Sequence, residues 1–210
     1  MYDLFNPYPQ SFNDDLDNSG NLNDLSLITG LQYIPDYISK VEVTQFLESI
    51  NNEIWLNDLK RRVQHYGFKY DYKARSIDKS MFIGPLPSWA LTIAKKLNSD
   101  GFIDVIPDQL IINEYLPGQG IANHVDCVPC FGDTIISISL GSSCIMDFIN
   151  LSNKRKIEVK LDSGSLVVMK GESRKFWTHG IAQRKTDSFK GQKITRSLRI
   201  SMTFRKVIIK

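Results

Sequence analysis

The sequence predicts a mainly β fold, a double-stranded β-helix of the jelly-roll or cupin-like kind with N-terminal helices packed on one side. Three observations predict it. After Pro107, short β-rich runs follow one another with turn residues between them and no helical pattern intervening. Two of the runs, Ile136-Ser-Ile-Ser-Leu140 and Leu198-Arg-Ile-Ser-Met-Thr-Phe204, alternate side-chain character with a period of two, as a strand with one buried face requires. Before Pro107 the apolar spacing is helical instead. Regularly spaced strands argue for a barrel or sandwich, and helices segregated from them in sequence can cover one of its faces.

The elements follow in order. Residues 1–27 read as a disordered acidic tail, because Asn6 to Asp24 is rich in Asn, Asp, Ser and Gly and cannot bury enough apolar surface to offset the entropy of ordering. Residues 28–210 form one domain, long enough for a continuous core. A turn at Ile34-Pro35-Asp36 precedes Val43, Phe46, Leu47, Ile50, Ile54 and Trp55, whose spacing predicts a helix over Val41 to Trp55. A second helix is expected over Trp89 to Asn98. Between them lies Arg61-Arg-Val-Gln-His-Tyr-Gly-Phe-Lys-Tyr-Asp-Tyr72, an irregular run that interleaves basic and aromatic residues. Strands are expected over Leu110–Tyr115, Thr134–Leu140, Cys144–Phe148, Ile157–Leu161, Ser165–Met169 and Ser197–Phe204.

The net charge of +3 conceals an asymmetry. Asp3, Asp14, Asp15, Asp17 and Asp24 lie in the first 27 residues, which hold no lysine or arginine, so the domain itself is more basic than the whole chain. A basic domain suits an anionic partner, and a solvated basic surface would read the same way. No apolar run approaches the roughly 20 residues of a membrane span, and the N-terminus lacks the pattern of a secretory signal. Cys127, Cys130 and Cys144 make neither an even disulfide framework nor a four-ligand zinc set. Reduced thiols in a soluble, monomeric, intracellular protein, cytoplasmic or nuclear, are therefore the expectation.

Chemistry enters where the first β-rich run ends. Gln109-Leu-Ile-Ile-Asn-Glu-Tyr115 passes through the turn Leu-Pro-Gly-Gln-Gly120 into His124-Val-Asp126, and His179 follows 53 residues after Asp126. Two imidazoles and one carboxylate can hold iron(II) on one octahedral face and leave three positions open for a chelating co-substrate and O₂. Taken singly, His124-Val-Asp126 would more often be a surface pair and His179 a satisfied core histidine. Arg199 and Arg205, six apart on an expected strand, share one face and can point into the same interior. Cys127 follows Asp126 directly, and a thiol beside such a site is open to oxidation.

These residues resemble the AlkB family of iron(II)- and 2-oxoglutarate-dependent dioxygenases, from about Leu31 to Val207. The resemblance is carried by Asn113-Glu-Tyr115, Pro117-Gly-Gln-Gly120, His124-x-Asp126, Ser137-Ile-Ser-Leu-Gly141, Met146-Asp-Phe148, Gly171-Glu-Ser-Arg174, Trp177-Thr-His-Gly180 and Arg199-x₅-Arg205, in that order. With Arg61-Arg62, His65-Tyr-Gly67 and Thr203-Phe-Arg-Lys206, it is most similar to the branch that hydroxylates a modified wobble uridine in tRNA. The resemblance implies His124, Asp126 and His179 as iron ligands. It implies Asn113, Tyr115, Arg199, Ser201 and Arg205 around 2-oxoglutarate, with Arg199 gripping the distal carboxylate and O₂ as the second co-substrate. It also makes Arg61 to Tyr72 a nucleotide-recognition lid, in which Tyr66, Tyr70 and Tyr72 stack on an extruded base while Arg61, Arg62 and Lys69 contact phosphates. Some of those aromatics could instead pin the loop to the barrel.

The implied partner is nucleic acid, in the first place tRNA. Val128 stands two residues after Asp126, where base-repair branches often carry a polar group, so repair is the less favoured outcome. The chain has no room for the RNA-recognition and methyltransferase domains of some relatives, so a separate methyltransferase partner is expected. Three other readings stay open: oxidative demethylation of alkylated DNA or RNA bases, oxidation of a protein or lipid substrate, and a non-catalytic jelly-roll module that binds RNA or metal.

Overall fold

The computed structural model describes residues 25–57, 60–71 and 74–209. Two sheets build its core. In the larger, seven strands run in the order β1 (Leu31–Ile34), β9 (Leu166–Met169), β6 (Phe131–Gly141), β13 (Arg199–Val207), β4 (Gln109–Tyr115), β2 (Val63–Phe68) and β3 (Phe82–Gly84). The smaller has β5 (Ile121–His124), β10 (Trp177–Ile181), β7 (Cys144–Asn150) and β8 (Lys156–Leu161), and β11 (Thr186–Phe189) pairs with β12 (Gln192–Thr195) as a separate hairpin. Neighbouring strands pair antiparallel throughout. This is the expected mainly β jelly-roll.

Period-two alternation decides what each face of the large sheet does. Leu110 and Ile112 of β4, Ile136 and Ile138 of β6, and Ile200, Met202 and Phe204 of β13 pack on the helices. Those helices are α1 (Lys40–Asn51), whose Ile50 is buried, and α2 (Ser88–Ser99), which buries Ala90, Ile93, Ala94 and Leu97. The intervening residues, Ile111, Asn113 and Tyr115 on β4 and Arg199, Ser201, Thr203 and Arg205 on β13, turn inward and line a cavity. Register locks the two strands together, with Arg199 opposite Tyr115 and Arg205 opposite Gln109. A slip of one residue would exchange the apolar and polar sets between the faces, so burial on both sides fixes the register.

The helix start is set locally. Ser39 accepts from the backbone N–H of Glu42 at 3.2 Å and Glu42 returns the bond to the Ser39 N–H at 2.8 Å, a reciprocal cap that stabilises by about 1 kcal/mol. The helix ends at Asn51 rather than Trp55. Ile54 is exposed, and the Trp55 ring serves the connection instead, with the Arg62 guanidinium 4.8 Å above it.

Three further expectations change. Residues 1–24 of the expected tail lie outside the described residues, but its boundary at residue 27 is too late, because Leu25 is buried with Ile28 in the core between the sheets. The run from Arg61 is not irregular: Val63–Phe68 forms β2, paired with β4 from Val63 opposite Asn113 to Tyr66 opposite Leu110. Gly67 makes this possible, since its φ of +78° suits glycine and a Cβ there would collide with the Asp108 carbonyl. Finally, Cys127 and Cys130 are joined as a disulfide, whereas Cys144 is free and buried. The Cys130 N–H bonds to the Cys127 carbonyl at 3.2 Å, so one tight turn brings the two sulfurs together.

Candidate active site

The inward residues enclose a cavity of about 470 Å³ between the two sheets. On its small-sheet wall, β5 and β10 pair with His124 opposite His179. Gly180 permits the approach, because a Cβ at that position would clash with Asn123. The two imidazole centroids lie 4.4 Å apart, and His124 Nε2 is 3.8 Å from Asp126 Oδ1. One donor atom from each of His124, Asp126 and His179 lies within 4.8 Å of the others, the geometry of a set that can close on one ion.

The surroundings prepare these groups for a cation. His124 Nδ1 faces the Ala122 carbonyl at 2.8 Å, so a proton there leaves Nε2 as the acceptor on the cluster side. Burial, then the neighbouring His124, pushes His179 down to about 3, which keeps its imidazole neutral near pH 7. Burial opposes ionisation of Asp126, but the Arg205 guanidinium and the histidines outweigh it and hold the carboxyl well below the usual range. Arg205 donates from Nη2 to Asp126 Oδ1 at 3.0 Å and from Nε to Oδ2 at 3.3 Å, with Gln109 Oε1 at 3.5 Å from Nη1. Its Nη2 and Nε are thus engaged by the carboxylate, while the residue also lines the cavity.

Arg199 is different. It is 3 % exposed and donates from Nη2 to Ser139 Oγ at 2.9 Å, while its Nε and Nη1 are buried with no hydrogen-bond partner. A buried guanidinium with unanswered donors is costly, and a carboxylate accepting from Nη1 at its outer edge would relieve part of the cost. The residues present thus fit 2-oxoglutarate as well as iron(II). The Tyr115 ring lies between two cations, with Arg199 at 5.3 Å and Arg61 at 5.5 Å from its centroid. Ser201 lines the same wall, its hydroxyl 3.2 Å from that of Thr203.

The expected lid contacts divide. Arg61 lines the cavity and donates from Nε to Asn113 Oδ1 at 2.9 Å, which places it beside Tyr115 and Asn113. Arg62 forms a two-pronged pair with Glu114, at 2.8 Å from Nε and 2.5 Å from Nη2, and Glu114 is buried, so this cation braces the sheet edge. Tyr66 points to the helix side, its ring edge-on to Trp89 at 5.8 Å and its hydroxyl 2.9 Å from Gln64 Oε1. Tyr70 does line the cavity and packs on Phe131 at 5.4 Å. Lys69 bonds through its backbone N–H to the Met81 carbonyl, and Tyr72 lies outside the described residues.

Two arginines beside the site escaped sequence reasoning. Arg75 lines the cavity mouth from the lid, and no spacing singles it out. Arg174, in a short helix α3 (Gly171–Lys175), is buried and donates to the Asp126 carbonyl at 2.9 Å and the Cys127 carbonyl at 3.2 Å. The motif Gly171-Glu-Ser-Arg174 was visible, but only the fold brings it under the Asp126 turn.

Comparison with known proteins places this geometry. Residues 57–205 match the family model described as "2OG-Fe(II) oxygenase superfamily". The chain is 41 % identical over 206 residues to the mouse protein named "tRNA (carboxymethyluridine(34)-5-O)-methyltransferase ALKBH8", covering 87 % of this chain and 31 % of that one. It is 32 % identical over 142 residues to the "Alpha-ketoglutarate-dependent dioxygenase AlkB" of Salmonella typhimurium, covering 67 % of this chain and 63 % of that protein. This chain spans about a third of the length of ALKBH8 relatives such as the mouse protein. Among solved structures, "The structure of OsALKBH1" superimposes with a TM-score of 0.65 at 17 % identity, covering 84 % of this chain and 96 % of that one, which supports the fold. No helix among the described residues is long and apolar enough to cross a membrane. The chain belongs to the AlkB family within the 2OG-Fe(II) oxygenase superfamily.

Proposed function

We propose that this protein hydroxylates a carbon substituent on a modified wobble uridine of tRNA, using iron(II), 2-oxoglutarate and O₂. The observation that carries the oxygenase chemistry is Arg199, a buried cation with unpartnered donors that lines the same cavity as the His124–Asp126–His179 cluster. When bound, iron(II) and 2-oxoglutarate supply the oxidising power by coupling co-substrate decarboxylation to C–H oxidation. The protein's own part is positional. His124, Asp126 and His179 take the metal, Arg199 and Ser139 hold the distal carboxylate of 2-oxoglutarate, and Asn113, Tyr115 and Ser201 line its length. Arg205 keeps Asp126 ionised and correctly turned. Tyr70 and Arg75 at the mouth meet the base.

The choice of tRNA rests on the 41 %-identical relative, whose name specifies carboxymethyluridine at position 34. A separate methyltransferase would act on the same nucleoside. The alternative within the same chemistry is oxidative demethylation of alkylated bases, favoured by likeness to AlkB over 67 % of this chain. Hydroxylation of an N-methyl carbon would release formaldehyde, whereas a hydroxyl on a uridine side chain persists. Mass spectrometry of nucleosides from cells lacking the protein separates the two. Loss of a hydroxylated wobble uridine supports the proposal, and accumulation of N-methyl bases with that uridine unchanged overturns it.

A further inference from the structure

The turn after Asp126 carries the Cys127–Cys130 pair, and both sulfurs meet one atom of the segment 74–77, which follows the Arg61 to Tyr72 run in the chain and is hereafter the lid. Each Sγ lies 3.4 Å from the backbone carbonyl oxygen of Arg75. The lid backbone bends to deliver that carbonyl, since Arg75 has a φ of +50°, a strained conformation for a non-glycine residue. Such a cost persists only where surrounding contacts hold it, and in the disulfide form the sulfurs touch the carbonyl without a hydrogen to give it. We propose that Cys127 and Cys130 form a reversible thiol–disulfide site that sets how firmly the lid closes over the cavity.

The two redox forms treat the lid differently. As thiols, both cysteines can donate S–H bonds to the Arg75 oxygen. As a disulfide neither carries a hydrogen, so the carbonyl keeps its neighbours and loses its donors. The change needs little movement, because the turn already sets the sulfurs side by side. Both cysteines are buried, at 6 % and 5 % exposure, but Cys127 lines the cavity, through which a small oxidant such as hydrogen peroxide reaches its sulfur. The sulfur of one cysteine attacks a peroxide oxygen, the O–O bond breaks, and a sulfenic acid and water form. The second thiol then attacks that sulfur, forming the S–S bond and expelling a second water. Two thiols lose two hydrogens and two electrons, and one peroxide becomes two waters. A small dithiol reverses the reaction by exchange, taking up the oxidation as its own disulfide. Cys144 provides an internal control, being buried, with a thiol that burial pushes up and makes unreactive.

The site operates whatever the substrate is, so its test needs none. The full chain, before metal is added so that peroxide meets no iron, is treated with peroxide and then with a dithiol. Thiol alkylation read by mass spectrometry and amide hydrogen exchange across Ala74 to Ile77 are followed in parallel. Oxidation should remove two hydrogens, protect Cys127 and Cys130 from alkylation and leave Cys144 unchanged. Exchange in the lid should quicken about threefold to tenfold, the effect of losing weak hydrogen bonds, and the dithiol should restore it. Cys130→Ser, which cannot form the bond, should show no peroxide response in the lid. The proposal is overturned if the pair stays open to alkylation, if both redox forms of the wild type exchange alike, or if Cys130→Ser responds as the wild type does.

Discussion

Arg205 holds the carboxylate of Asp126, with Nη2 3.0 Å from Oδ1, and His124 Nε2 lies 3.8 Å from the same oxygen, with His179 in the same cluster. The side chains of Arg205 and Asp126 are 11 % and 8 % exposed, so this ion pair is nearly dry. Removing the guanidinium strands a buried charge, which costs roughly 3 kcal/mol or more. Arg205→Ala should therefore lower the stability of the metal-free protein by about that amount in urea unfolding. Added divalent metal should recover part of the loss by supplying a second positive neighbour. Equal destabilisation with and without metal would count against Asp126 as a ligand.

Arg199 leads to the opposite expectation for stability. Its Nε and Nη1 are buried without a hydrogen-bond partner, and an arriving carboxylate answers Nη1. Arg199→Met, which fills similar volume without charge, should leave the co-substrate-free protein as stable as the wild type or more stable by about 1 kcal/mol. The same variant should lose the thermal stabilisation that 2-oxoglutarate gives. A variant both destabilised and still responsive to 2-oxoglutarate would contradict the assignment.

Arg174 is not among the residues that line the cavity, yet it secures the carbonyls of Asp126 and Cys127, which are. Arg174→Gln cannot span both. It should weaken metal affinity roughly tenfold or more, as loss of groups that orient a ligand generally does, with a cost in stability of about 1–3 kcal/mol. Competition of iron(II) binding against a chromophoric chelator measures the affinity.

Tyr66 and Tyr70 differ by four positions and should behave in opposite ways. Tyr66→Phe breaks the bond to Gln64 and should cost about 1 kcal/mol of stability while leaving KM for nucleic acid unchanged. Tyr70→Ala opens the cavity mouth and should raise that KM, by about tenfold or more if a base stacks there. Steady-state kinetics with both variants decides the matter, and a raised KM in Tyr66→Phe would show that the helix-side ring reaches substrate after all.

The contrast between those tyrosines marks where sequence reading ran out. Strands β4, β6 and β13 were legible because alternation of buried and cavity-facing residues is a local property, and it put Arg199 and Arg205 on one face without any knowledge of the partner strands. β2 was not legible: its residues, Val63-Gln-His-Tyr-Gly-Phe68, are buried or half-buried on both faces, with polar Gln64 and His65 inside, so no alternation marks it. Once it became a strand, facing direction sorted its aromatics, sending Tyr66 to the helices and leaving Tyr70, beyond the strand end, at the cavity. The pair of Arg62 with Glu114 was hidden for the same reason, because Glu114 becomes its neighbour only through the pairing of β2 with β4. The disulfide ran against an expectation drawn from cysteine number, which carries no information on whether one turn aligns two side chains.

The most direct test supplies the purified protein with iron(II), 2-oxoglutarate, O₂ and tRNA bearing a carboxymethylated wobble uridine, and measures succinate and the hydroxylated nucleoside together by mass spectrometry. The wild type should form the two in equal amounts, and Asp126→Ala should form neither. Coupled product in Asp126→Ala, or a wild type that releases formaldehyde from N-methyl bases and leaves the wobble uridine untouched, would contradict the account.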